Sequence, residues 1–308
     1  MRIQRRAGAR SDTAIAVGSF DGVHRGHVAM FERLLGSARA RALASAVLTF
    51  EPLPREFFAP AEAPARLTSL GEKLVLVAAR GIDCAIVERF DRGFASLRAG
   101  DFAERLACRH RARHVLVGPD FRYGAGREGD GASLVESGRA LGFEVEILAP
   151  VAVDGERVSS TLVREALARG DFERAARLLG RRYAICGRVA HGTQRGRGLG
   201  FPTANVRLGR RKPALAGIFA VKCYGAATRG LEGVASLGIN PAVASGGPAT
   251  LEAFLFDFSG DLYGRRLTIE FVKKLRDEAH FASLDELRAQ IERDCDAARE
   301  VFRAPRTW

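Results

Sequence analysis

Residues 17–27 read V-G-S-F-D-G-V-H-R-G-H, and this stretch decides the fold. Ahead of it, Thr13-Ala14-Ile15-Ala16-Val17 has the length and apolar character of a buried strand; behind it, Met30, Leu34 and Leu35 recur at helical spacing. The residues between are therefore a strand-to-helix turn. Gly18, Gly22 and Gly26 let the backbone approach a ligand closely, and the free amides of a helix N-terminus favour an anion. His24 and His27 stand three residues apart at that helix start, so both rings can face one phosphate. A histidine pair alone is usually ordinary surface or core. That reading leaves the three glycines, Ser19, Asp21 and the helix-mouth position unexplained.

The stretch resembles the nucleotide-binding element of the HIGH-type nucleotidyltransferases, with His24-Arg25-Gly26-His27 as the H-x-G-H core. The longer wording G-S-F-D-G-V-H-R-G-H is similar to that of one branch, the bacterial bifunctional riboflavin kinase/FAD synthetases. The resemblance implies that His24 and His27 stabilise the phosphates of ATP while its α-phosphate is attacked. Gly18, Phe20, Asp21 and Gly26 would contact the same nucleotide.

Composition sets the outer bounds. A chain of 308 residues is long enough for two domains, and 47% hydrophobic with 27% charged residues describes an ordinary globular protein. No run of about eighteen apolar residues occurs, so no membrane span is expected. The start, Met1-Arg2-Ile3-Gln4-Arg5-Arg6, is basic but is not followed by an apolar signal region, which makes the cytoplasm the expected location. Five scattered cysteines without a C-x-x-C pair read as buried free thiols. The net charge of +12 would suit nucleic acid, but the basic residues are spread out, with no aromatic-interleaved stripe. Neither nucleic acid nor a membrane is therefore expected as a partner.

Along the first half, strands are expected at Ala46–Phe50, Cys84–Val87, His114–Val117 and Gly142–Leu148, alternating with helices from Ser69 to about Arg80 and from Asp101 to Cys108. Ser69-Leu70-Gly71-Glu72 has capping-box spacing. Alternation at this spacing argues for a parallel, doubly wound sheet. The two prolines of Glu51-Pro52-Leu53-Pro54 predict a loop at a strand's carboxyl end, the edge where open α/β sheets place their sites. The family usually has histidine where this chain has Leu53. Gly118-Pro119-Asp120-Phe121-Arg122-Tyr123-Gly124 again follows a strand; by itself it reads as a turn, but it resembles the family's G-x-D/N-F-x-F-G segment. That likeness implies an FMN-side loop with Asp120, Phe121 and Gly124. Ser159-Ser160-Thr161 would serve as helix caps in any protein. With Arg164 one turn on, they also resemble the family's I-S-S-T-x-I/V-R element, which implies that Ser159, Ser160, Thr161 and Arg164 contact phosphate.

Near Ala175–Arg182 the alternation stops, and a glycine-rich, strand-rich region begins. Glycines at 187, 192, 196, 198 and 200 suit a loop that wraps phosphates by backbone amides, or one that is merely flexible. Pro202-Thr203-Ala204-Asn205 is more telling, because a hydroxyl and an amide two residues apart face one side of a strand. The stretch resembles the riboflavin kinase P-T-A-N motif. By that likeness Thr203 and Asn205 hold Mg²⁺ beside ATP phosphates, while Gly192, Arg197 and Gly200 contact the nucleotide. Further strands are expected at Ala220–Tyr224, Gly233–Leu237, Leu251–Phe258 and Leu267–Val272. Glu252 puts a carboxylate into an otherwise apolar strand. At a solvent edge it would be inert; partly desolvated, it has a raised pKa and can accept a proton from an alcohol. The family carries its catalytic glutamate in such a strand, as L-E-x-H-L, with histidine where this chain has Phe254. Ser236 and Pro241-Ala242-Val243 also depart from the family pattern. Leu275–Phe281 resembles the segment that closes over the flavin, which implies a contact from Arg276. Leu287, Ile291, Cys295, Ala298 and Phe302 form the buried stripe of a terminal helix.

The expected architecture is thus α/β: a Rossmann-like nucleotidyltransferase domain over 12–180, then a small antiparallel β-barrel with a C-terminal helix over 181–304. The resemblance implies two activities, riboflavin to FMN and FMN to FAD, with ATP as co-substrate of both and with riboflavin, FMN and ATP as the partners. Two alternatives remain open to the sequence: an adenylyltransferase for another phosphate ester with an inactive second domain, and a basic nucleic-acid-binding protein. Oligomeric state is not legible.

Overall fold

The structure, a computed structural model, describes residues 1–5, 11–192, 200–209, 212–239 and 249–303. By their contacts the residues divide into two units, Met1–Pro64 with Lys73–Ser159 and Ala65–Glu72 with Ser160–Trp308.

In the first unit, strands β1 (Arg2–Gln4), β2 (Thr13–Val17), β3 (Ala44–Glu51), β4 (Cys84–Arg89) and β5 (Ala112–Val117) are followed by a short hairpin, β6 (Arg122–Tyr123) and β7 (Gly129–Asp130), and then by β8 (Glu144–Ile147). Six of them make one parallel sheet in the order β1-β4-β3-β2-β5-β8. β2 is buried along its whole length. Ile15 and Val17 join one apolar cluster with Leu48, Ile86 and Val115, while Ala14 and Ala16 face the other with Phe31 and Leu34 of helix α1 (Arg25–Ala40). A parallel sheet covered on both faces needs such unbroken apolar strands, which is why the sequence shows runs instead of alternation.

Several details depart from expectation. The basic start pairs Arg2–Gln4 with Cys84–Ile86 as an edge strand, too short to carry a period. After β3, the chain enters helix α2 (Pro54–Phe58) instead of a loop. Pro54 lies in its first turn, where a missing N–H costs nothing. The helix expected from Asp101 begins at Ala99, and its last turn, Arg105–Arg109, is π-helical, closed by the His110 N–H on the Arg105 carbonyl at 3.1 Å. That wider turn brings both residues to Glu88 on β4. Arg105 donates to its two oxygens at 3.0 and 2.8 Å, and Nε2 of His110 hydrogen-bonds Oε1 at 2.8 Å. Of the five cysteines, Cys84, Cys223 and Cys295 are buried and all are free, but Cys108 is exposed because it sits on the outer side of the π turn.

In the second unit, β11 (Ala184–Ala190), β12 (Thr203–Val206), β13 (Gly217–Tyr224), β14 (Leu231–Ile239), β15 (Ala249–Leu255) and β16 (Arg266–Arg276) close an antiparallel barrel in the order β11-β12-β15-β14-β13-β16 (β9 and β10, Ala152–Val153 and Glu156–Arg157, are a hairpin of the first unit). Burial alternates strictly along β15: Leu251, Ala253 and Leu255 point inward, Glu252 and Phe254 outward. The strand stops short of the expected Phe258, since Asp257 takes a left-handed φ of 52°. The helix Leu284–Arg303 lays Cys295 and Ala298 on Ile218, Ala220 and Val234. Segment 65–72 belongs to this unit. The Arg66 N–H donates to the Lys212 carbonyl at 3.0 Å, the Tyr183 hydroxyl to the Leu67 carbonyl at 3.1 Å, and the Cys186 N–H to Glu72 at 2.6 Å. The capping box forms as expected, with the Ser69 N–H on Glu72 at 2.6 Å and the Glu72 N–H on Ser69 Oγ at 3.3 Å.

Burial alone would raise the Glu88 carboxyl, but the hydrogen bonds from His110 and Arg105, with the charge of Arg105, outweigh it and hold the carboxyl at about 2 against an ordinary 4.5. A depressed folded pKa contributes stability above the unfolded value and loses it as pH falls through the folded one. The gap corresponds to on the order of 3 kcal/mol. Glu88→Gln is expected to destabilise the first unit by that order at pH 7, with the difference from the parent shrinking below about pH 4.5 and vanishing near pH 2. Urea unfolding across pH measures it, and a difference that stays constant down to pH 3 would refute the assignment.

Candidate active sites

At the carboxyl end of β2 the chain turns sharply. The Gly18 N–H donates to the Leu48 carbonyl at 3.0 Å, and the next residues include three with positive φ: Phe20 at 48°, Gly22 at 83° and Val23 at 44°. For a β-branched residue such as Val23 this conformation is strained by roughly 1–3 kcal/mol, so the surroundings must impose it. One such constraint is Lys73 in helix α3 (Leu70–Ala78), whose Nζ donates to the Ser19 carbonyl at 2.6 Å and to Thr49 Oγ1 at 3.1 Å.

His24 is the N-cap of α1. Its Nδ1 accepts from the His27 N–H at 3.4 Å, and the two rings stack with centroids 3.6 Å apart and planes 18° off parallel. Gly26 passes under the His24 ring, and a Cβ there would come within 3.2 Å of Nδ1. The edge of Phe20 meets His27 at 5.2 Å, and Asp21 is buried. The structure thus brings Gly18, Phe20, Asp21, His24, Gly26 and His27 together at one helix mouth. Ser159 closes the first unit. Ser160, Thr161 and Arg164 lie on the helix Ser160–Ala168 in the second unit, where Arg164 Nε donates to the Ala65 carbonyl at 2.5 Å.

Beside Gly18 and Ser19 opens a cavity of about 820 Å³. Phe50, Phe58, Phe90, Phe94, Phe121 and Tyr123 supply aromatic wall, and Arg55, Arg122 and Arg127 supply positive charge. Phe121 and Tyr123 are stacked at 5.5 Å, with planes 17° apart. Gly124 has φ 77°, and a Cβ there would sit 2.9 Å from the Ala99 nitrogen, so glycine is required. Asp120 lines the same cavity and pairs with Arg157. Such walls suit a flat aromatic ligand, and the arginines suit an anionic group carried on it. The sequence pointed to Asp120, Phe121 and Gly124 but missed most of the aromatic wall. Phe50 and Phe90 stand at the carboxyl ends of neighbouring strands, a signal that was available.

In the barrel, Asn205 faces Glu252 across the β12–β15 ladder, and Ser236 faces it from the other side. The Thr203 hydroxyl donates to Glu252 Oε2 at 3.3 Å. Gly192 packs on the Asn205 side chain with no room for a Cβ. A cavity of about 670 Å³ runs from Pro202, Thr203 and Ala204 to the loop 258–263, where Tyr263 stacks on His191 at 3.8 Å. Gly200 has φ 88°, and Arg197 lies outside the described residues, as do positions 241–243. Among the described residues no group of three His, Cys, Asp or Glu side chains could hold a metal ion. The hydroxyl, amide and carboxylate oxygens of Thr203, Asn205 and Glu252 share one face, a hard donor set that fits Mg²⁺ shared with phosphate. Phe254 packs on Phe201 at 5.4 Å and serves the outer apolar cluster. Arg276 is held bidentately by the buried Asp294 at 2.8 and 2.6 Å, with its guanidinium 5.8 Å from the Phe281 ring.

Comparison with known proteins gives the family. The FAD synthetase family model matches residues 7–162 and the riboflavin kinase model residues 179–302. The bifunctional riboflavin kinase/FMN adenylyltransferase of Escherichia coli K12 is 47% identical over 289 residues, covering 94% of this chain and 92% of its own. Those of Pseudomonas fluorescens and Haemophilus influenzae are 46% and 41% identical, covering 92% and 94% of this chain and 91% and 94% of their own. A crystal structure from Streptococcus pneumoniae, described as a macrolide-efflux protein, superposes with a TM-score of 0.78 at 28% identity, over 97% of this chain and 99% of that one. Among the described residues no helix is long and apolar enough to cross a membrane. With both models matched in order, and relatives this close over more than nine-tenths of its length, the chain belongs to the family of bifunctional riboflavin kinase/FMN adenylyltransferases.

Proposed function

We propose that residues 12–180 carry FMN adenylylation around His24 and His27, and that residues 181–304 carry riboflavin phosphorylation around Glu252. The observation that supports this most is the carboxylate of Glu252 on the same barrel face as Thr203 and Asn205, 3.3 Å from the Thr203 hydroxyl. In the barrel, Glu252 takes the proton of the ribityl 5′-hydroxyl as that oxygen attacks the γ-phosphorus of ATP, and ADP leaves. Gly192, Arg197 and Gly200 hold the nucleotide, and Arg276 borders the flavin. Thr203 and Asn205 would hold Mg²⁺, which when bound neutralises phosphate charge.

At the first site, the flavin of FMN enters the aromatic cavity beside Asp120, Phe121 and Gly124. An ionised phosphate oxygen of FMN attacks the α-phosphorus of a second ATP, and pyrophosphate departs. No protein nucleophile or base is required. His24 and His27 donate to the charge that accumulates on the phosphorus oxygens, with the N-terminus of their helix beside it. The free cysteines suit a reducing cytoplasm.

Glu252→Ala is expected to lower FMN formation by about 100-fold or more while FAD synthesis from supplied FMN continues. His27→Ala is expected to do the reverse, with FMN accumulating and FAD formation down about 100-fold. Time courses with riboflavin and Mg-ATP, resolved by chromatography, measure both; loss of both activities from either substitution would contradict separate sites. Gly192→Ala forces a Cβ into Asn205 and is expected to slow phosphorylation about tenfold without changing adenylylation.

A further inference from the structure

Lys73 is 1% exposed, less than Leu74 and the same as Val77, its buried neighbours on α3. An ammonium seldom leaves water without defined partners. Here they include the Ser19 carbonyl at 2.6 Å and Thr49 Oγ1 at 3.1 Å, and the Thr49 hydroxyl itself donates to the same carbonyl at 3.2 Å. The carbonyl of Ser19, in the middle of the strand-to-helix turn, therefore takes two donors from the core side. In a trans peptide the carbonyl and the following N–H point in opposite directions. With the carbonyl turned inward to Lys73, the Phe20 N–H is turned out of the core. Phe20 has a left-handed φ of 48°, so its neighbours must hold it there.

We infer that Lys73 is a positioning residue for adenylyl transfer: it fixes the Ser19–Phe20 peptide so that the Phe20 N–H faces the phosphates of ATP. The inference rests on the assignment of the His24–His27 turn to ATP. It adds a buried side chain, remote in sequence from the H-x-G-H core, to the residues that set the geometry of this reaction.

The test is FMN adenylylation by the full chain, with urea unfolding of the first unit, which holds Lys73, as the measure of intact folding. Lys73→Met keeps the length and apolar packing and removes the donor. It is expected to lower kcat for FAD formation about 100-fold, with KM for FMN within twofold of the parent. Lys73→Gln packs less well but retains a donor, and is expected to regain at least about tenfold of that loss. A methionine chain with parental kcat, a glutamine chain no faster than it, or a loss confined to KM for FMN would each overturn the inference, since packing alone would rank methionine first. Thr49→Val removes the second donor to the carbonyl at constant volume and is expected to lower kcat about fivefold. It decides the matter if the first unit of the methionine chain does not fold, and unchanged kcat there overturns the inference. His27→Ala separates the two levels: full FAD formation in that variant removes the site assignment itself, whereas an inactive His27 variant beside a normal Lys73→Met chain removes only the role of Lys73.

Discussion

A strand buried on both faces has no side left for water, and β2 is such a strand from Thr13 to Val17. Everything polar that the first unit needs must therefore be gathered where the strands end. β2 and β3 run parallel, so the Gly18 turn and the Glu51 turn leave the sheet at the same edge. The Phe50 and Phe90 rings, at the ends of adjacent strands, pack at 5.8 Å and begin the wall of the aromatic cavity. The glycine turn and the aromatic cleft are adjacent because the same burial constraint drives both to one edge.

The barrel solves a different problem. Its strands have a closely packed inside and an outside divided between solvent and the terminal helix, so period-two alternation decides what each position can do. Ala204 and Ala253 fill the interior, which leaves Asn205 and Glu252 paired on the outer face one residue away. A one-residue slip of β15 would bury the carboxylate and expose Leu251. The grouping of Asn205 with Glu252 is thus protected by the same register that builds the core.

This contrast explains what the sequence disclosed. The parallel sheet was legible because apolar runs alternate with capped helices, and the barrel because Leu251, Ala253 and Leu255 alternate with Glu252 and Phe254. Glu252, Thr203 and Asn205 were legible as motifs, and their grouping follows from strand register. What escaped was whatever depended on contacts distant in sequence. β1 is three residues long and becomes a strand only by pairing with β4. The π turn at Arg105–Arg109 is tied to Glu88, and no local pattern announces that carboxylate. Pro54 sits in the first turn of a helix, where proline is tolerated, so a proline in the sequence does not by itself mark a loop. Lys73 looks like a helix surface residue until Ser19 and Thr49 are found around it.

The assignment of Ala65–Glu72 to the second unit has a consequence for how the chain is made. This segment leaves the ribosome well before its partners: Tyr183 bonds Leu67 across 116 positions, and Cys186 bonds Glu72 across 114. At synthesis rates of about 5–20 residues per second, the segment waits roughly 6 to 23 s for them. The first unit's sheet must meanwhile close around a loop whose middle belongs elsewhere. The second unit cannot be completed in strict order from the N-terminus, and no single cut in the chain separates the two intact.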